Sequence, residues 1–309
     1  MVERFDLKPI PVWLVTGFLG SGKTTFIQHL LTSTAFREQS ISLILNEFGR
    51  HALDSQRIRI PHLAKFEINR GSVFCACVMA DLIQALQTIA ATGQTDVIVI
   101  EATGATETRD LERVFETANL AARLQVRINI CLVDAIHFLP LYLNTTTVKR
   151  QLQAADVLLV NKTDLVSGAA LTTISRILDE VSPRAQRFYI QHGRIDPREF
   201  KDIVHLSCHA PLFEAGSDPV RAISFDFSAP ADRSQFLQAI RKTEPDLLRL
   251  KGQIHFNDQT EWTEYVYGDW RTEPVLSPSS ERSYFTAIVM GRDPVQVRAT
   301  FEKAFSASG

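Results

Sequence analysis

The chain is poor in the features that mark several protein classes. It has four cysteines in 309 residues, and apart from Cys75 and Cys77 they lie far apart, so a disulfide framework is excluded and reduced thiols are expected. Neither sign of charge prevails: 33 Lys+Arg against 35 Asp+Glu leave a net charge of −2, which provides no basic field for nucleic acid or an anionic membrane. With 14 Gly and 13 Pro, neither in excess, a fibrous or disordered chain is excluded. No run approaches the ~20 apolar residues that span a bilayer. The opening MVERFDLKPI mixes charges ahead of a short apolar stretch, unlike a secretory signal. The expectation is a cytoplasmic protein, with neither nucleic acid nor membrane as partner, and without repeats or low-complexity tracts.

What is present is 45% hydrophobic and 22% charged residues, enough for one large domain or two ordinary ones. From Pro11 to about Tyr189, the apolar runs PVWLVT, ISLIL, AKFEIN, DVIVIE, VRINICLVD, DVLLVN and QRFYI alternate with helical patterns. Unbroken apolar strands between helices predict an α/β unit with a mostly parallel sheet covered on both faces. After Leu212 strands cluster instead: VRAISFDF, a helix over 232–242, LLRLKGQIHF, WTEYVYGDW, SYFTAIVMG and a helix over 294–305. That order predicts a smaller α+β domain. The boundary falls in CHAPLFEAGSDP, giving domains 1–212 and 220–309.

The strand PVWLVT runs directly into Gly17-Phe18-Leu19-Gly20-Ser21-Gly22-Lys23-Thr24-Thr25. This satisfies G-x-x-x-x-G-K-[ST] in its strand-to-helix setting and marks the fold as a P-loop NTPase. The glycines let backbone N–H groups curl around a phosphate, and the following helix adds its positive dipole end. Lys23 is expected to reach the β- and γ-phosphates, and the Thr24 hydroxyl to ligate Mg²⁺.

Asn161-Lys162-Thr163-Asp164 follows the strand DVLLV, at a carboxyl strand end where ligands bind in doubly wound folds. It resembles the guanine-reading N-K-x-D motif. Guanine offers N1–H and N2–H₂ side by side to one carboxylate and adenine has no matching pair, so Asp164 is expected to select GTP. DVIVIE ends in Glu101-Ala102-Thr103-Gly104: Glu101 is the candidate acidic group near Mg²⁺, and Gly104 could sense the γ-phosphate. Asn46-Glu47-Phe48-Gly49 and the polar stretch after it read equally as a switch or a plain loop.

The ordered set GFLGSGKTT, LNEFG, a Cys-x-Cys segment, IEATG, LVDA and ADVLLVNKTDL resembles the CobW-type metal-trafficking GTPases over nearly the whole chain. Residues 11–190 resemble that family's G domain, and LLRLKGQIHF onward its C-terminal domain. The resemblance implies a slow GTPase, using Mg²⁺ and cycling between GTP and GDP, whose nucleotide state controls delivery of a transition metal such as Zn²⁺ to a client metalloprotein. The family's metal motif is C-x-C-C, whereas this chain reads Cys75-Ala76-Cys77-Val78. Valine has no lone pair to donate, so a tetrahedral site must recruit other ligands, with Glu47, His51 and His62 as candidates. Thiols at i and i+2 share one side of an extended segment. Equally, both belong to the residue type most often buried as a plain hydrophobe.

Elsewhere, Cys131 reads as core within INICLV. His205, Cys208 and His209 read as loop residues or a second metal cluster, and Asp134 as a helix N-cap or a water-mediated nucleotide contact. Trp262, Tyr265, Tyr267 and Trp270 read as sheet packing or a client surface. Two other functions stay open: a GTP-dependent scaffold that has lost metal handling, and a P-loop phosphotransferase acting on a small acceptor. Homo-oligomerisation is open too.

Overall fold

The computed structural model describes residues 8–46, 63–68, 76–102, 111–112, 114–115, 120–206, 220–244, 246–266, 268–275, 281–291 and 293–305. Each apolar run of the first two-thirds forms a strand: β1 (Ile10–Gly17), β2 (Ile41–Asn46), β3 (Leu63–Ile68), β4 (Val97–Glu101), β5 (Leu124–Asp134), β6 (Val157–Asn161) and β7 (Gln186–Tyr189). They pair in the order β3-β2-β4-β1-β5-β6-β7, always in parallel. Between them run α1 (Lys23–Thr32), α2 (Ala76–Thr92), α3 (Phe138–Asn144), α4 (Thr146–Gln153) and α5 (Gly168–Val181).

The apolar runs are unbroken because both sheet faces are covered. Trp13 and Val15 pack with Phe26, Ile27 and Leu30 of α1, while Val12 and Leu14 pack with Leu82, Leu86 and Ile89 of α2. Cys131 lies in this core as expected, and burial pushes its thiol up to about 12, too high for a reactive thiolate.

α2 corrects one expectation. Cys77 lies in its first turn, not in an extended segment, so the shared-side argument for i and i+2 does not apply there. ACVMADLIQALQTIAAT is rich in Ala, Leu, Met and Gln, and their summed helix propensity overrides the strand-like look of a short Cys-x-Cys stretch.

From residue 220 the described residues form a second compact unit: β8 (Val220–Phe227), α6 (Arg233–Thr243), β9 (Leu247–His255), β10 (Thr260–Val266), β11 (Asp269–Pro274), β12 (Ser283–Met290) and α7 (Pro294–Glu302). The sheet order is β11-β10-β9-β12-β8, antiparallel throughout. Asp232 and Asp293 cap α6 and α7 by accepting backbone N–H bonds, which fixes where each helix starts. Phe225, Phe236, Phe285 and Phe301 fill the core. Tyr265 and Trp270 pack with them, whereas Trp262 lies beneath the Lys251 ammonium, 6.0 Å away. Tyr267 and the expected boundary at 208–219 lie outside the described residues. Among the described residues no helix is long and apolar enough to cross a membrane.

Candidate nucleotide site

The loop between β1 and α1 sits at the carboxyl end of the parallel sheet. Gly22 has φ +101, and a Cβ there would stand 2.5 Å from Asn161 Nδ2. Gly17 has φ +123, and its Cβ would stand 2.4 Å from the Leu132 carbonyl oxygen. Only glycine permits both this backbone and this approach. Lys23 is buried, and its Nζ donates to the carbonyl oxygens of Gly17 (2.8 Å) and Phe18 (3.1 Å), so the ammonium is held within the loop. No side chain caps α1 and its first turn carries no acid, which leaves the positive end of the helix dipole turned to the loop. Ser21 Oγ is buried with no hydrogen-bond partner among the described residues. Such a hydroxyl remains destabilising by about 1–3 kcal/mol until a ligand oxygen or a water reaches it. Thr25 is exposed.

Thr24 Oγ1 donates to Glu101 Oε1 at 3.1 Å, joining the loop to the end of β4, whose Glu101 is 7% exposed. A hydroxyl and a carboxylate at this spacing are hard oxygen donors of the kind Mg²⁺ takes, so the residues present fit that ion.

On the other flank Asn161 Nδ2 donates to the Ser21 carbonyl oxygen at 2.9 Å, and the Gly193 N–H donates to Asn161 Oδ1 at 3.0 Å. Asn161 thus braces the loop against the turn after β7, a turn the sequence reading did not single out. The only signal for it was His192-Gly193, whose residues both have positive φ. Lys162 is left-handed as well (φ 65), and its Nζ bonds Asp134 Oδ2 at 2.7 Å. Asp134 also accepts from the Ile136 N–H (3.0 Å) and lies 3.0 Å from His137 Nδ1. Burial pushes the Asp134 carboxyl upward, but the His137 hydrogen bond and then Lys162 outweigh it and hold the group below the usual carboxylate range. Asp134 is therefore not the helix cap expected: α3 has His137 at its N-cap position and no side-chain cap bond, and the two Asp134 oxygens serve the Ile136 N–H on one side and Lys162 and His137 on the other. Asp164 is 27% exposed, with His192 Nε2 4.0 Å away.

Glu47, His51, His62, Cys75 and Gly104 lie outside the described residues, as do Cys208 and His209. Among the described residues no group of three or more His, Cys, Asp or Glu is placed to hold a metal ion. His205, weighed above as a ligand, instead bonds Asp156 Oδ2 through Nδ1 at 2.7 Å, with Glu112 3.7 Å from Nε2.

A parallel sheet, a glycine-hinged phosphate loop and a Thr–Glu oxygen pair beside it define a nucleotide-binding protein of the P-loop class. A family model of the CobW/HypB/UreG nucleotide-binding domain matches residues 11–189, and a model of the cobalamin synthesis protein cobW C-terminal domain matches residues 220–305. The chain belongs to the CobW/HypB/UreG family. It is 32% identical over 197 residues to the zinc chaperone YjiA of Escherichia coli (strain K12), a match covering 62% of this chain and 60% of that protein. It is 26% identical over 300 residues to the zinc chaperone CobW of Sinorhizobium sp, covering 81% and 82%. The chain spans half to three-fifths of the length of the first three curated relatives it matches. The crystal structure of Zn(II)-bound YjiA GTPase from E. coli superposes with a TM-score of 0.47 at 24% identity, over 96% of this chain and 99% of that one.

Proposed function

We propose that this chain is a GTP-binding and GTP-hydrolysing metallochaperone, which carries a transition metal, Zn²⁺ in the first instance, to a client metalloprotein. The observation that carries the nucleotide half is the meeting of three motifs far apart in sequence: Thr24 with Glu101, and Ser21 with Asn161, three residues before Asp164.

The triphosphate lies in Gly17–Thr25, with the backbone of Gly20, Ser21 and Gly22 turned to its oxygens. The Asp164 carboxylate accepts the two adjacent donors of guanine. Thr24 and Glu101 hold Mg²⁺, which when bound supplies neutralisation of charge on the β- and γ-phosphates. Lys23 and the loop amides stabilise the charge that moves to the leaving oxygen as water attacks the γ-phosphate. Turnover without an arginine finger is slow, on the order of 10⁻⁴ to 10⁻² s⁻¹. Gly104 reports the γ-phosphate.

The cargo metal binds Cys75 and Cys77 with Glu47 and His51, and kinship with zinc chaperones supports zinc as that cargo. Metal and GTP then alter each other's affinity reciprocally. Both sites lie within a domain of residues 1–212, which a smaller α+β domain of residues 220–309 follows.

Calorimetry with Mg²⁺ is the test: GTP should bind at least tenfold more tightly than ATP, about 1.4 kcal/mol. Equal binding removes the guanine reading and revives the phosphotransferase. Val78, standing where the family motif has its third cysteine, favours one alternative, the GTP-dependent scaffold. Equal Zn²⁺ affinity of wild type and Cys75→Ala/Cys77→Ala in equilibrium dialysis would support it.

A further inference from the structure

We propose that a cavity at the amino-terminal edge of the parallel sheet is a second ligand site, which takes a small organic carboxylate with an aromatic body. It lies where β1, β4 and β5 begin, at the edge opposite Gly17 and Glu101, and it does not depend on the nucleotide reading.

The cavity measures about 340 Å³, within the range of small-molecule pockets and suited to a body of one or two rings. Its walls are apolar. Trp13 of β1 meets Phe36 edge-on at 5.0 Å and Phe200 at 6.1 Å, and all three line the cavity together with Val97. Phe36 and Phe200 are buried, whereas Trp13 is only partly so. Rings set at steep angles to one another offer a further ring both stacked and edge-on seats.

Four charged side chains also line the cavity: Asp96, Arg127, Arg198 and Lys201. Arg198 is closed on Asp196, with Nε 2.9 Å from Oδ2. Lys201 is exposed and 3.9 Å from Asp202. Asp96 is exposed and accepts from the Ser40 N–H at 2.8 Å. Arg127 differs. It is half-buried, and its guanidinium donates to the carbonyl oxygens of Phe200, Lys201 and Ile203. Those acceptors are neutral, so they fix the plane of the group and cancel none of its charge. Among the described residues no carboxylate forms an ion pair with it.

A charge withdrawn from water calls for a counter-charge, and a guanidinium has five N–H donors, of which the carbonyls take three. A ligand carboxylate at the cavity mouth meets the remaining donors on a group already held in place, which lowers the ordering cost of binding. One unmatched guanidinium suits one negative charge. A phosphate monoester, with nearly two, would bring its excess against Asp96.

The test titrates the full chain with 2-naphthoate, its neutral isostere 2-naphthamide and 2-naphthyl phosphate, following the Trp13 indole N–H and the Arg127 Nε–H by NMR. 2-Naphthoate should move both signals and saturate with a Kd on the order of 1 mM. It should bind at least tenfold more tightly than the amide or the phosphate. Ala35 lines the cavity without a polar contact in it, so Ala35→Phe should fill the space and weaken 2-naphthoate at least tenfold. Arg127→Gln should bring 2-naphthoate to within twofold of the amide. An unmoved Trp13 signal at roughly 10 mM 2-naphthoate, equal binding of the amide, tighter binding of the phosphate, or wild-type binding in either variant would overturn the proposal. Should a variant not fold, the wild-type Arg127 signal decides: it must move with 2-naphthoate and stay put with the amide, and any other pattern overturns the assignment.

Discussion

The carboxyl corner of the parallel sheet and the antiparallel sheet after residue 220 are built on opposite principles. The corner buries Ser21, Lys23, Glu101, Asp134 and Asn161, and it holds Lys162 and His192, the non-glycine residues with positive φ among those described. The C-terminal unit buries rings: Phe225 stacks on Phe285 at 4.5 Å, and Phe236 meets Phe256 and Phe285 edge-on at 5.7 and 5.6 Å. Buried charge and strained backbone destabilise a fold unless something over-determines them, whereas packed rings stabilise it outright. On the function proposed, the corner's polar burial is what a ligand would satisfy, whereas the rings of the second region serve packing alone.

The strongest challenge to that division is Phe236→Ala, because Phe236 is fully buried at the centre of the ring cluster. Truncation should lower the stability of the C-terminal unit by about 3–5 kcal/mol in urea denaturation, with GDP affinity within twofold of wild type. A tenfold loss of GDP affinity would break the comparison. Next is Lys23→Ala at the corner. It should reduce kcat/KM for GTP on the order of 10²–10³-fold and barely move the urea midpoint of the C-terminal unit. Should hydrolysis persist at near wild-type rate, Lys23 would be a structural clasp for the Gly17 and Phe18 carbonyls and nothing more.

How much of each region was legible follows from the range of its causes. The strands of the parallel sheet could be read because β4 and β6 are buried at every position, so no polar residue interrupts the pattern. The phosphate loop could be read because its chemistry lies within nine residues. The brace from Asn161 to Ser21 spans 140 positions and the bond from Lys162 to Asp134 spans 28, and neither leaves a local signal. The turn at His192-Gly193 matters because a Cβ on Gly193 would come within 2.9 Å of the Phe26 nitrogen, a fact of packing rather than of sequence. At Cys77 the extended reading rested on a three-residue motif, and helix propensity summed over seventeen residues prevailed over it.

A smaller effect sharpens the chemistry of the corner. Asp164→Asn replaces one acceptor oxygen with an NH₂ group that faces guanine's own donors. GTP affinity should fall about tenfold to a hundredfold, since hydrogen bonds to a charged acceptor contribute about 1.5–3 kcal/mol each, while ATP affinity stays as it was. Competition calorimetry reads the ratio. An unchanged ratio would move base selection elsewhere, His192 being the nearest polar neighbour identified.

The smallest expected effect lies within the first unit but away from its ligand corner, at the amino-terminal end of β6. His205 bonds Asp156, which also accepts from the N–H groups of Asn129 and Leu206. Burial pulls the imidazole's affinity for a proton down, yet the Asp156 hydrogen bond and the charges of Asp156 and Glu112 outweigh it and raise the pKa above 6.5. A group with a raised folded pKa contributes stability that is complete below its unfolded value and is lost as pH rises through the folded one. His205→Gln should therefore destabilise by about 1 kcal/mol at pH 5.5 and by less at pH 8. Arg127, which donates to the carbonyl oxygens of Phe200, Lys201 and Ile203, holds the same segment. The pH-dependent part thus belongs to the imidazole, and hydrogen exchange at Leu206 in wild type should quicken between pH 6 and pH 8 beyond the intrinsic rate. Equal protection across that interval would show that Arg127 alone secures the segment.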